Sequence, residues 1–101
     1  MDTRTAEPTT VGEMLKEEFL KPHNITQEQL GKAMGRSRKV INQIINNTRR
    51  LSIEEIAMLT ALFETDDDFW LNVQAAHDRW ECRQLKQQQN MKSIFEVLAA
   101  G

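Results

Sequence analysis

At 101 residues, 40% hydrophobic and 28% charged, the chain has the composition of one globular domain, large enough for a real core but with little stability to spare. A formal net charge of −2 argues against indiscriminate attraction to nucleic acid, and a single cysteine, Cys82, allows no internal disulfide and fits a reducing cytoplasm. No apolar run approaches the length of a membrane span, and the opening MDTRTAEPTT lacks a signal-peptide core.

Four glycines, two prolines and no strand-like alternation predict an all-α fold. Residues 1–9 are polar and expected to be loosely held. Thr10 and Glu13 have the spacing of a capping box, opening a first helix that should bury Val11, Met14, Leu15, Phe19 and Leu20. Pro22 closes it, because the residue before proline avoids helical geometry. Thr26 and Gln29 form a second capping box, and Leu30, Ala33 and Met34 predict an apolar stripe two turns long. Gly35 can take the left-handed conformation that ends this helix, and Ser37 then caps another, whose inward stripe is Ile41, Ile44 and Ile45. Asn47, placed where glycine is commoner, is the next best residue for positive φ. Two short helices around a glycine turn are a helix-turn-helix, whose second helix usually enters the DNA major groove.

Ser52 and Glu55 make a third capping box, and Ile53, Ile56, Ala57, Leu59, Leu62 and Phe63 cover over half of the following helix, which places it at the centre of the bundle. Thr65 and the acids Asp66, Asp67 and Asp68 should cap the longest helix. Its candidate pairing face is Phe69, Trp70, Val73, His77 and Trp80, with a dimer expected; in the competing reading both tryptophans only finish the monomer core. Residues 10–82 thus form the DNA-binding domain with a dimerising fifth helix, followed by a C-terminal extension, 83–101. The Gln-rich stretch from Arg83 to Lys92 reads as a fraying helix end or linker. The apolar pattern of Ile94, Phe95, Val97 and Leu98 must dock on something, being too short to stabilise itself.

The candidate DNA-contacting residues are Gln27, Arg36, Ser37, Arg38, Lys39, Asn42, Gln43, Asn46, Arg49 and Arg50. Arginine and lysine donate to guanine O6 and N7, and Asn and Gln match adenine N6 and N7. An ordinary solvated helix face would mix charge signs, yet no acid occurs between Glu28 and Glu54. Residues 29–53 carry +6, while the rest of the chain has seven basic and fifteen acidic residues, or −8. Such segregation is what a phosphate-binding patch requires.

Catalytic and metal chemistry find no footing. His77 and Cys82, five apart, stand about 140° apart round a helix and do not converge on one ion. His77 and Glu81 are four apart, a spacing more often of a surface hydrogen bond than of a metal site. The acids 66–68 lack the glycine and further ligands of a calcium loop. Neither a phosphate-cradling loop nor a Ser-His-Asp spacing occurs, so no enzyme, cofactor or small-molecule ligand is expected.

Five helices with the second and third as reader resemble the phage-repressor type of DNA-binding domain. Outside the reader, Pro8-Thr9-Thr10-Val11-Gly12-Glu13-Met14-Leu15 and Phe69-Trp70-Leu71-Asn72-Val73-Gln74, running on to Trp80, are similar to the HigA family of antitoxins. The resemblance spans residues 8–81 and departs at Gly31, where the family usually has alanine, and at Asn47, where it has glycine. It implies an antitoxin that binds a HigB-type mRNA interferase and represses its own operon as a homodimer on a palindromic operator. The alternatives are a stand-alone phage- or plasmid-type repressor, and an interaction module whose helix-turn-helix serves only protein binding.

Overall fold

The computed structural model describes residues 6–101, and every regular element in that span is helical. Helix α1 (Val11–Met14) runs straight into a π-helical stretch (Leu15–Leu20), followed by α2 (Gln27–Met34), α3 (Arg38–Ile45), α4 (Ile53–Phe63), α5 (Phe69–Gln89) and α6 (Ile94–Ala100). No described helix is long and apolar enough to cross a membrane. Residues 1–5 of the segment expected to be loose lie outside the described residues. Glu7 is held, with its carboxylate 2.8 Å from His77 Nε2.

The capping boxes at Thr26–Gln29 and Ser52–Glu55 both close reciprocally, satisfying amides that a helix start leaves unpaired. Thr10 completes only half of its box. Its Oγ1 accepts from the Glu13 amide at 3.1 Å and from Asn47 Nδ2 at 2.9 Å, which ties the start of α1 to the end of the reader. The acids 66–68 do not cap α5 as expected: Asp68 is the N-cap residue, in helical geometry and without a side-chain bond. Gly35 (φ 66°) and Asn47 (φ 59°) both take the left-handed conformation.

Leu15, Leu20, Leu30, Met34, Ile41, Ile44, Ile45, Leu51, Ile56, Leu59 and Trp70 form the core. The π-helical stretch explains how Leu15 and Leu20 share it. Five residues apart on an α-helix they would diverge by about 140°, whereas i→i+5 bonding, as from the Lys21 amide to the Lys16 carbonyl (3.0 Å), stacks them. Sequence spacing carried no sign of this.

Four expectations are corrected. Ala33 is exposed, and Gly31 takes the inward position on α2, where a Cβ would come within 2.8 Å of the Arg36 carbonyl oxygen; glycine here is a packing requirement that offsets its helix penalty. Helix α4 is not central: it buries Glu55, Ile56 and Leu59 but leaves Ile53, Ala57, Ala61 and Leu62 exposed. Finally, Trp70 belongs to the core of the single chain, fully buried with its ring centroid 5.0 Å from those of Phe19 and Phe69. Phe69 joins the same aromatic cluster through Phe19 at 5.7 Å. Val73, His77 and Trp80 of the expected pairing face remain half-exposed, as does Phe69, with the His77 and Trp80 rings 5.4 Å apart. Helix α5 also continues to Gln89 through the stretch expected to fray.

Candidate nucleic-acid interface

Helix α3 presents its polar face because its isoleucines are taken up by the core: Ile41, Ile44 and Ile45 are each at most 8% exposed, while Arg38, Lys39, Asn42 and Asn46 are exposed and Gln43 half-buried. The Ser37 hydroxyl accepts from the Val40 amide (3.2 Å) and starts the helix. The Gln43 carbonyl, accepting from the Thr48 amide at 3.0 Å, helps to close it. Three amide side chains line up across the two reader helices. Asn46 Nδ2 donates to Asn42 Oδ1 at 3.0 Å, and Asn42 Nδ2 donates to Gln27 Oε1 at 3.3 Å. Gln27 thereby joins α2 to the reading face, and the face is pre-ordered before any ligand arrives.

The basic residues divide into two kinds. Arg38 and Lys39 have no ion pair among the described residues. Arg36, Arg49 and Arg50, expected to contact phosphates, are also anchored within the chain. Glu55, fully buried, receives Arg36 Nε at 3.0 Å and an Arg49 NH group at 2.8 Å on one carboxylate oxygen, while its other oxygen accepts from the Ser52 amide at 3.0 Å. One carboxylate therefore fixes the arginines on either side of α3 and caps α4. Burial pushes its pKa up, but the Ser52 amide, Arg49 and Arg36 outweigh that and hold it at about 2. The bond to Glu55 raises the pKa of Arg36 in turn.

Arg50 makes a two-pronged pair with Asp78 of α5 at 2.6 and 2.8 Å, raising its own pKa and lowering that of Asp78. Beside it, Gln74 clamps Leu51 by accepting from its amide at 3.0 Å and donating to its carbonyl at 3.4 Å. The basic loop after the reader is thus fastened to α5. Sequence reasoning identified Glu55 only as a cap and missed Gln74 and Asp78, whose partners lie more than twenty positions away.

Away from the reader, two adjoining clefts of about 680 and 590 Å³ share Thr9, Met14 and Phe69. Their floor is Met14, Phe19, Phe69, Val73 and Ala76, and around it stand Glu13, Glu17, Glu18, Asp66, Asp67 and Asp68. Of these six acids only Glu17, bonded to Lys21 Nζ at 2.9 Å, has an ion pair among the described residues.

The chain as a whole is similar to known proteins. Residues 16–70 match the helix-turn-helix family HTH_3. The chain is 42% identical over 93 residues to antitoxin HigA-1 of Vibrio cholerae, covering 90% of this chain and 88% of that protein. It is 35% identical over 95 residues to an uncharacterised HTH-type transcriptional regulator of Haemophilus influenzae, covering 93% and 89%. Among solved structures, the Pseudomonas aeruginosa antitoxin HigA with the higBA promoter is 28% identical with a TM-score of 0.75, over 81% of this chain and 89% of that one. The chain belongs to the HTH_3 helix-turn-helix family, in the group that includes the HigA antitoxins.

Proposed function

We propose that this protein is the antitoxin of a type II toxin–antitoxin pair. As a dimer it represses its own operon by sequence-specific DNA binding, and it neutralises a HigB-like mRNA interferase. It acts by binding rather than catalysis, in the cytoplasm. The observation that carries this reading is the face of α3, where the Gln27–Asn42–Asn46 chain accompanies Arg38 and Lys39, which have no ion pair among the described residues. Related proteins bound to promoter DNA support it. One reader helix contacts only a few base pairs, so two-fold pairing with half-sites about 34 Å apart, or a multiple, supplies the selectivity.

Arg38→Ala or Gln43→Ala should lose about 1–3 kcal/mol on the cognate operator and relax preference at one base position, with the melting temperature unchanged. Arg50→Ala should weaken all sequences alike and flatten the salt dependence by about one unit of slope. It should also lower the melting temperature, because it releases Asp78. Titration of operator and scrambled fragments at several salt concentrations distinguishes the two kinds. Equal losses on both fragments for every variant would rule out a base-reading α3.

The toxin surface in this reading is the acid-rimmed apolar cleft of α1 and α5. A protein that cleaves RNA needs a basic surface to hold phosphates, and opposite charge speeds its encounter with these acids. The cleft lies away from the face of α3, so toxin and operator should bind together. A mobility-shift assay with purified toxin should show a ternary complex, weakened by Glu13→Lys or Glu18→Lys and unaffected by Lys39→Ala. Competition between toxin and operator, with Lys39→Ala losing both, would move the toxin onto the DNA-binding face.

A further inference from the structure

Apart from Leu62, on the opposite side of α4, the large exposed apolar side chains of the described residues fall on two surfaces. The first is a groove of about 630 Å³ between α4 and the start of α5, floored by Ile53, Ala57, Ala61 and Leu71 and bordered by Glu64 and Asp67. The second is the C-terminal arm, where Leu85, Met91, Ile94, Phe95, Val97 and Leu98 are all between 45% and 80% exposed. Helix α6 buries none of its residues, and seven residues cannot hold a helix in water alone. It needs a surface to cover its apolar side.

The two surfaces match each other. From Ile53 to Ala61 the floor runs about 12 Å along α4, and α6 is about 10 Å long. The arm from residue 83 onward has three cations before α6, Arg83, Lys86 and Lys92, and one acid within it, Glu96, while the groove is bordered by Glu64 and Asp67. In this structure a protomer does not fill its own groove, since α6 buries none of its residues. Helix α5 carries the chain about 27 Å from Leu71 to Gln89, and the five Cα steps from Gln89 to Ile94 span at most about 18 Å, so α6 starts about 9 Å or more from Leu71. The elongated shape, 58 × 32 × 23 Å, fits an arm held out from the bundle.

We propose that α6 of each protomer seats in the α4–α5 groove of a second copy. The exchange is reciprocal, so two-fold symmetry covers both arms and both grooves and stops at the dimer. The inference rests on the two-fold pairing proposed above, and it moves the pairing surface from the Val73–Trp80 face of α5 to the groove and the arm.

Phe95→Glu and Ile53→Glu test it in the full chain, since these side chains are 79% and 75% exposed and neither supports the monomer core. Each should weaken self-association by at least about 30-fold in analytical ultracentrifugation, with helical circular dichroism retained. In a Cys82→Ser background, mixing Ala57→Cys protein with Leu98→Cys protein should give disulfide-linked dimers. Wild-type dimers unaffected by both charges would overturn the groove-and-arm contact while leaving pairing itself intact. Wild-type protein that stays monomeric at micromolar concentration would overturn both. A chain carrying both new cysteines that links only to itself at high dilution would place α6 on its own groove and overturn the exchange. Dimers unchanged by Phe95→Glu together with lost toxin binding would assign the arm to the toxin instead, also overturning it.

Discussion

Glu55→Ala should remove about 3 kcal/mol of folding stability, a loss that urea denaturation at neutral pH will measure directly. The change strips two arginines of their common partner, opens the α4 capping box and leaves a small void. Removing one member of a buried ion pair costs about 3–5 kcal/mol in general. Here Arg36 and Arg49 are 25% and 39% exposed, so water recovers part of the loss and the lower figure applies. The pH dependence identifies the source. The folded pKa of Glu55, about 2, lies below its ordinary value of 4.5, so the unfolded chain takes up the proton first as pH falls. The contribution is complete above about pH 4.5 and is lost progressively toward pH 2, amounting to roughly 3 kcal/mol across that window. The stability gap between wild type and Glu55→Ala should therefore narrow steadily from pH 5 to pH 3. A gap that stays constant over that range would mean the carboxylate charge is not what holds these elements.

Gly12→Ala should be comparably damaging, by about 3 kcal/mol, for a steric reason. A Cβ on Gly12 would overlap the Ile45 carbonyl oxygen and come within 2.7 Å of the Ile44 carbonyl oxygen. Both obstacles are backbone at the end of the reader helix, which no rotamer change can clear. The Gly12 amide also donates to Asn47 Oδ1 at 2.9 Å, so the same displacement breaks the link between α1 and the end of α3. The expected results are a lowered urea midpoint and weakened operator binding, because the reader is no longer braced from behind. A variant within about 0.5 kcal/mol of wild type, the range of ordinary surface changes, would show that α1 can slide away without penalty.

What could be read in advance was what short range decides. The pairs Thr26–Gln29 and Ser52–Glu55, the left-handed Gly35 and Asn47, and the Ile41–Ile44–Ile45 stripe depend on residues within four positions, and all formed as expected. What could not be read depends on distant partners. Nothing local shows that Glu55 caps its own helix while also holding Arg36 and Arg49, or that Asp78 waits for Arg50. A charge count over residues 29–53 assigned these arginines to phosphate and could not see that each is also anchored within the chain. Spacing alone also misjudged α4. Its apolar residues do surround the helix, but one side faces outward, and a single chain gives no warning that it can leave such a side uncovered.

The amide chain across the reader has a direction. Each of Asn46 and Asn42 gives a proton toward α2, so Gln27 is left with its donors outward at one end and Asn46 with its carbonyl oxygen partly open at the other. A single amide can turn over to suit whichever base edge it meets. Here, reversing one without the others sets oxygen against oxygen or donor against donor and loses those bonds, so turning together is favoured. The face therefore favours two polarities, and tolerance for a changed base at one position should be tied to what lies at the next. With α3 as the proposed base reader, operator preferences along it should be non-additive, a half-site being read as a word rather than letter by letter.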